Sequence, residues 1–335
     1  MNRSDRPRVA VLGAGSWGTA LALVLSRNGI ETPLWGLPEE IALLQREREN
    51  RRYLPGIPFP ETLHPTADLG AAVTHSSDLL IAVPSGAFPT LLAQLHPLLS
   101  SSAPIAWATK GLAPDHGGLL STLIEQTLGP RTLAVLSGPT FANEVACGLP
   151  TAITVAANAP EYATRFAQYL HNDTFRAYTA SDLIGVQIGG SAKNVMAIGA
   201  GIADGLGFGA NARAALITRG LVEIIRLGVA MGGSRETFMG LAGIGDLVLT
   251  CTDNQSRNRR MGLALAAGNT IEQARAQIGQ AVEGVTTAQA IHRLAQQHAV
   301  EMPITEQIYR VLFQGLHPRE AVNQLLERAQ KAERL

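Results

Sequence analysis

Arg8-Val9-Ala10-Val11-Leu12-Gly13-Ala14-Gly15-Ser16-Trp17-Gly18 is the stretch whose reading decides the fold. Four apolar residues make a run one strand long, and Gly13, Gly15 and Gly18 follow with the spacing G-x-G-x-x-G. The first glycine permits a tight turn, the second lets the backbone approach an anion, and the third lets a helix pack closely on its strand. A helix over 16–28 is expected next, stopped at Gly29, which suits the left-handed position after a helix C-terminus. In this strand-to-helix setting the loop reads as a cradle for the pyrophosphate of a dinucleotide, with free N–H groups at the helix start facing it. A bland glycine turn is the competing reading.

Outward from this loop, short β-type runs alternate with amphipathic stretches. Strands are predicted at 8–12, 31–35, 78–83, 105–108, 133–136, 152–156 and 175–178, the pattern of parallel strands joined by crossover helices. After residue 184 the strand signal fades. Helices are predicted at 184–203, 212–231, 259–267, 285–298, 304–312 and 318–329. The fold class is therefore an α/β Rossmann-type domain over 1–184 followed by an all-α domain over 185–335. No period of a repeat protein recurs.

Composition narrows the class. Of 335 residues, 46% are apolar and only 16% charged, which excludes disorder and leaves apolar surface for an oligomer contact, a homodimer being the simplest. Lys plus Arg equals Asp plus Glu at 27 each, so no net field would draw the chain to nucleic acid or an anionic membrane. Met1-Asn2-Arg3 is basic, but the apolar run after it is too short for a signal peptide. The apolar stretch 183–203 is interrupted by Gln187, Lys193 and Asn194, so it reads as a buried helix and not as an integral membrane segment. Cys147 and Cys251 lack metal-ligand spacing, and no metal is expected; both read as reduced packing residues of a cytoplasmic protein.

Several positions carry chemistry. The second strand should end in an Asp or Glu that reads the ribose of NAD, but here the segment is Leu34-Trp35-Gly36-Leu37. NADP is thereby admitted, with Arg46, Arg48, Arg51 and Arg52 downstream as phosphate partners or as a solvated basic face. Lys110 follows the strand end Trp107-Ala108-Thr109, where ligands of doubly wound sheets gather; a solvated loop lysine is the plain alternative. Ser137-Gly138-Pro139-Thr140-Phe141-Ala142 ends another strand in the same way. Lys193 is the only charged residue between Asp182 and Asp204. Buried on an apolar helix, its pKa falls toward the range useful for proton transfer, unless it snorkels to the surface. Gly243-Ile244-Gly245-Asp246 supplies a carboxylate to orient it, or simply a helix cap. Asp253-Asn254-Gln255-Ser256-Arg257-Asn258-Arg259-Arg260 offers forked guanidinium groups for a phosphate, and without aromatic residues for base stacking a nucleic-acid patch is disfavoured.

Taken in order, these segments, with Gly207-Phe208-Gly209-Ala210-Asn211 and Val282-Glu283-Gly284, resemble the bacterial NAD(P)-dependent glycerol-3-phosphate dehydrogenases over nearly the whole chain. The resemblance implies a Rossmann-type domain joined to a helical domain similar to the C-terminal domain of 6-phosphogluconate dehydrogenase. It implies NADP or NAD as cofactor, dihydroxyacetone phosphate and sn-glycerol 3-phosphate as substrates, and supply of glycerol 3-phosphate for phospholipid synthesis in the cytoplasm. It further implies that Gly13, Gly15, Ser16, Trp17, Gly18, Lys110, Ala142, Arg257, Ala281 and Glu283 serve the cofactor. Lys110, Gly138, Thr140, Lys193, Asp246, Ser256, Arg257 and Asn258 would meet the substrate, with Lys193 as proton acceptor in oxidation and Lys110 and Asp246 beside it. Leu37 departs from the pattern, since relatives usually carry Arg or His there, so no NADP preference is carried over. Two other readings are a β-hydroxyacid or 2-ketoacid reductase of similar architecture and a dinucleotide sensor without catalysis.

Overall fold

The computed structural model describes residues 7–114 and 117–327. Met1-Asn2-Arg3 and the end of the helix expected over 318–329 lie outside the described residues. The chain divides into two compact units, one of Met1–Thr109 with Ser121–Leu183 and one of Lys110–Leu120 with Ile184–Leu335.

The first unit contains β1 (Val9–Leu12), α1 (Ser16–Arg27), β2 (Thr32–Trp35), α2 (Pro38–Glu47), β3 (Leu63–Thr66), α3 (Leu69–Thr74), β4 (Asp78–Ile81), α4 (Phe88–Leu95) and β5 (Ile105–Trp107). After α5 (Leu120–Leu128) come β6 (Leu133–Ser137), α6 (Ala142–Ala146), β7 (Thr151–Ala157), α7 (Pro160–Leu170) and β8 (Phe175–Ala180). The strands form one sheet in the order β3-β2-β1-β4-β5-β6-β7-β8. β1 lies between β2 and β4, in register Leu12↔Trp35 and Leu12↔Ile81, so the glycine loop leaves the sheet where the strand order reverses. Apolar residues of β1, α1, β7 and α7 form the core of this unit. Gly29 takes φ +80 after α1, as its position demands.

Two expectations need correction. β3, which the strand reading omitted, reads Leu-His-Pro-Thr and buries only Leu63 and Pro65; its proline is tolerated because β3 is an edge strand. The sheet is also not wholly parallel, because β6 and β7 pair antiparallel. The five residues of α6 rise only about 7.5 Å, less than the roughly 16 Å of a five-residue strand. The chain therefore re-enters the sheet from the end at which it left.

The second unit is helical: α8 (Leu183–Gly205), α9 (Gly209–Ala230), α10 (Arg235–Phe238), a π-helical turn at Leu241–Gly245, α11 (Asp246–Thr252), α12 (Arg257–Ala266), α13 (Ile271–Ile278), α14 (Glu283–Gln297), α15 (Pro303–Phe313) and α16 (Pro318–Leu326). α8 is apolar on all sides because it is buried on all sides from Gly185 to Ala203. No helix among the described residues is long and apolar enough to cross a membrane. The long helices coincide with their sequence periodicity. α10, α11 and α13 were missed, although α13 carries a capping box of Thr270 and Gln273 and ends on Gly279 at φ +66, both visible as residue types.

Cys251 is buried as expected, but Cys147 is exposed. α6 buries Val145 and Ala146 and turns the next side chain outward.

The N-terminus of α15 is capped from another helix. Glu223 of α9 is buried and accepts from the backbone N–H of Ile304 at 2.7 Å, from that of Thr305 at 3.1 Å and from the Thr305 hydroxyl at 3.1 Å. Its loss would strand buried donors, so Glu223→Ala should destabilise the protein by about 2 to 4 kcal/mol. Urea unfolding monitored by circular dichroism checks this; an unchanged midpoint would show that α15 is not held by this carboxylate.

Candidate active site

In the first unit the glycine loop is shaped by close backbone packing. Gly13 has φ +125, and a Cβ there would lie 2.8 Å from the carbonyl carbon of Ala82, so the loop crosses the end of β4 with no room for a side chain. A Cβ on Gly18 would lie 1.9 Å from the Gly13 oxygen, which holds the first turn of α1 against the loop. Gly15, the residue before α1, has nothing within 4 Å of its Cβ position. The loop is thus packed from below at Gly13 and Gly18 and open at Gly15. The first N–H groups of a helix have no partner within the helix. This cradle fits a pyrophosphate.

Asn50 holds the loop's shape, donating to the Ala14 oxygen at 3.0 Å and to the Thr19 hydroxyl at 2.8 Å. It is distant in sequence and no motif announced it. Trp17 donates from its indole nitrogen to the Ala108 oxygen at 3.2 Å. Ser16 is the first residue of α1. In the turn after β6, the Thr140 hydroxyl donates to the Gly138 oxygen at 3.1 Å, and Ala142 opens α6. Leu37 precedes α2 and is 64% exposed. The arginines after it are not an unpaired phosphate site. Arg46 pairs with Glu47, Arg51 with Glu47 and Glu49, and Arg52 with Glu40, while Arg48 donates to the Leu63 and Pro60 oxygens. Neighbouring carboxylates and carbonyls make this a charged surface with its own partners.

In the second unit Lys110, Lys193 and Asp246 come together. The Lys193 ammonium donates to Asp246 Oδ1 at 2.5 Å and to Thr250 Oγ1 at 2.7 Å, and Lys110 donates to Asp246 Oδ2 at 2.9 Å. Asp246 is 1% exposed and Lys193 6%. A glycine explains how the carboxylate reaches the helix. A Cβ on Gly189 of α8 would lie 2.5 Å from the Ala242 oxygen, so the π-helical turn touches the α8 backbone there. One turn further along each segment stand Lys193 and Asp246. Thr250, four residues after Asp246, lies on the same face of α11. That spacing could have been noticed in the sequence, but the threonine was not singled out.

Burial pulls the Lys193 ammonium down from the usual lysine range to about 8; Asp246 opposes the shift and the Lys110 charge adds to it. Two ammonium groups thus meet one carboxylate in a poorly solvated place, and Lys193 is the one whose proton is loosened. Such a group can give up a proton near neutrality and stabilise an oxyanion.

A chain of amides surrounds the triad. Asn194 donates to the Lys110 backbone oxygen at 3.1 Å, Asn258 donates to Asn194 Oδ1 at 2.9 Å, and the Gly284 N–H donates to Asn258 Oδ1 at 2.9 Å. Asn194, absent from the predicted set, thereby fixes the segment that carries Lys110. Ser256 caps α12 by accepting from the Arg259 N–H at 3.2 Å, and half-buried Arg257 opens the helix. Glu283 opens α14, and exposed Ala281 lies just before it. Ser256 has a hydroxyl proton left to donate, and the first turn of α12 presents N–H groups and a guanidinium, all suited to an anion.

Comparison with known proteins bears on both units. Residues 8–163 match the family model described as NAD-dependent glycerol-3-phosphate dehydrogenase N-terminus, and residues 182–323 match the model for the C-terminus of the same family. A glycerol-3-phosphate dehydrogenase [NAD(P)+] of Nitrosococcus oceani is 56% identical over 99% of this chain and 97% of its own. The crystal structure of glycerol-3-phosphate dehydrogenase from Coxiella burnetii is 51% identical, covers 96% of this chain and 99% of its own, and superposes with a TM-score of 0.94. A ketopantoate reductase from Ralstonia eutropha is 14% identical, with a TM-score of 0.59 over 94% of this chain and 99% of its own, and shares the fold alone.

The loop geometry predicts that Gly18→Ala loses dinucleotide affinity while the sheet still folds, because the added methyl must displace the Gly13 carbonyl. Titration with NADH and NADPH followed by fluorescence reads the affinity. Wild-type affinity for both would remove the loop from the nucleotide site.

Proposed function

The chain belongs to the NAD-dependent glycerol-3-phosphate dehydrogenase family, and we propose that Lys193, Lys110 and Asp246 carry the reaction of that family in this protein. It is an NAD(P)-dependent oxidoreductase interconverting sn-glycerol 3-phosphate and dihydroxyacetone phosphate. The observation that carries the assignment of roles is the buried carboxylate shared by two lysines.

Gly13, Gly15, Ser16, Trp17 and Gly18 would hold the dinucleotide, joined by Ala142, Lys110, Arg257, Ala281 and Glu283. When bound, the nicotinamide supplies hydride to the C2 carbon of dihydroxyacetone phosphate or accepts it from glycerol 3-phosphate. In reduction, Lys193 donates its proton to the oxygen on C2, and Asp246 and Thr250 hold the ammonium in place. In oxidation the neutral amine takes that proton back. Lys110 stabilises the developing oxyanion with its charge. Arg257, with Ser256 and Asn258, binds the phosphate, and Gly138 and Thr140 line the substrate position. Phosphate binding remote from C2 positions the carbonyl for reaction. The likeness to glycerol-3-phosphate dehydrogenases at 51 to 56% identity favours this phosphorylated substrate over the ketoacids of the alternative reductase reading.

Reduction in the cytoplasm, supplying glycerol 3-phosphate for phospholipid synthesis, is the physiological direction we assign. We also assign a homodimer, supported by a half-open apolar cavity of ≈ 1060 Å³ lined from α8, α9, α15 and α16 by residues including Ile202, Phe208, Leu216, Ile308 and Leu325. Arg219 and Glu301 stand in the same lining. Charges of both signs in one lining can pair across a two-fold axis, where the same patch meets itself. Leu216→Glu should shift sedimentation from dimer to monomer; a monomeric wild type would end this assignment.

Lys193→Ala should lower kcat by about 10²- to 10⁴-fold with affinity for NADH preserved. The pH dependence has a definite sign. Reduction uses the protonated amine, so its rate should be level below about 8 and fall above it, whereas oxidation should rise through the same pH. Stopped-flow traces of NADH absorbance at a series of pH values test both. Identical profiles in Lys193→Ala and wild type would remove Lys193 from the proton transfer.

A further inference from the structure

Among the basic residues 257–260, Arg259 is the buried one, and its guanidinium is engaged within the helical unit. It is 7% exposed and its guanidinium is directed inward. It donates to Asp204 Oδ2 at 2.5 Å, to the Cys251 oxygen at 3.2 Å and to Asn254 Oδ1 at 3.0 Å. Its backbone N–H is the donor that Ser256 accepts. One residue therefore ties the end of α11, the turn after it and the cap of α12 to a carboxylate near the end of α8.

The backbones meet at the same place. A Cβ on Gly201 of α8 would lie 2.1 Å from the Arg259 oxygen, and one on Gly262 of α12 would lie 2.0 Å from the Ile198 oxygen. α8 and α12 thus touch without intervening side chains, which sets their separation, while buried Met261 and Leu265 pack the body of α12 into the core and the polar contacts of Arg259 hold its first turn. Lys193 and Asp204 stand on one helix, three turns apart. Arg257 is two residues before Arg259 on the other.

From this geometry we infer that Asp204 and Arg259 form a positioning pair that sets the first turn of α12, and with it Arg257 and Ser256, at a fixed place relative to Lys193. The inference rests on the reading of Arg257 as the phosphate ligand. Its chemical content is that affinity for the phosphorylated substrate is governed by an ion pair that never touches it. Asp204 also accepts from Arg213 of α9 at 2.7 Å, but that arginine is 30% exposed and bonds nothing in the α11–α12 turn, so it stands outside the device.

Steady-state kinetics of the full-length enzyme with dihydroxyacetone phosphate and NADH test this. Asp204→Asn keeps the shape and removes the charge; it should raise KM for dihydroxyacetone phosphate about ten- to a hundredfold, more than it lowers kcat, with a smaller rise in KM for NADH because Arg257 also serves the cofactor. Asp204→Glu should restore part of the loss, and Arg213→Ala should leave KM unchanged. Should Asp204→Asn fail to fold, Arg259→Lys retains the charge and loses the fork, and a raised KM in that variant with normal thermal unfolding supports the same conclusion. An unchanged KM in a folded Asp204→Asn or Arg259→Lys, or a loss confined to kcat, overturns the pair. Arg257→Ala separates the two levels of the argument. If it leaves KM at the wild-type value, the phosphate reading itself fails; if it raises KM and Asp204→Asn does not, only the positioning role fails.

Discussion

A carboxylate removed from water and shared by two ammonium groups is the constraint around which the helical unit is organised. Asp246 would be costly to bury alone, and so would Lys193; each is tolerable because the other is within hydrogen-bond distance. Lys110 adds a second positive charge to the same carboxylate. Burial is what chiefly keeps Lys193 close to losing its proton; Asp246 opposes the shift and the Lys110 charge adds to it.

Holding such a group requires a rigid frame, and the frame is made by backbone contacts at glycine. Gly189 admits the turn that brings Asp246 to α8, and Gly201 and Gly262 let α8 and α12 touch. The same device recurs in the first unit, where Gly13 and Gly18 pack the glycine loop on β4 and α1. In each case the absence of a side chain sets a distance, and a polar side chain then sets the remaining freedom: Asn50 for the loop, Arg259 for α12, Asn194 for the segment carrying Lys110. Close-packed interiors transmit small displacements, so distances set this way reach the reacting groups.

Much of this was legible beforehand. The loop from Gly13 to Gly18 and the long helices announce themselves through spacing and periodicity, which are local properties. Lys193 was conspicuous because a charge on an apolar helix must be either paired or functional. β3 was not legible, since its four residues are defined by the strand beside them and not by any pattern of their own. The antiparallel β7 was hidden for a related reason: strand direction depends on whether α6 is long enough to cross the sheet. Thr250 and Asn194 belong to the site through contacts with residues far along the chain, and of the two readings left open for the arginines after Leu37 the structure favours the solvated basic face, with Arg46, Arg51 and Arg52 paired to glutamates.

The sequence by itself determined the glycine loop between β1 and α1, the change from α/β to helical order near residue 184, and the residue types able to move a proton or hold a phosphate. Those follow from steric and chemical properties of neighbouring residues. Only the tertiary structure decided that Asp246 meets Lys193 and is not simply a helix cap, that Lys110 shares it, and that Arg259 turns inward while Arg257 opens α12. Such pairings join residues separated by 53 to 136 positions, and they are selected by which backbones can touch and which buried charges must be neutralised, conditions that exist only once the chain is packed.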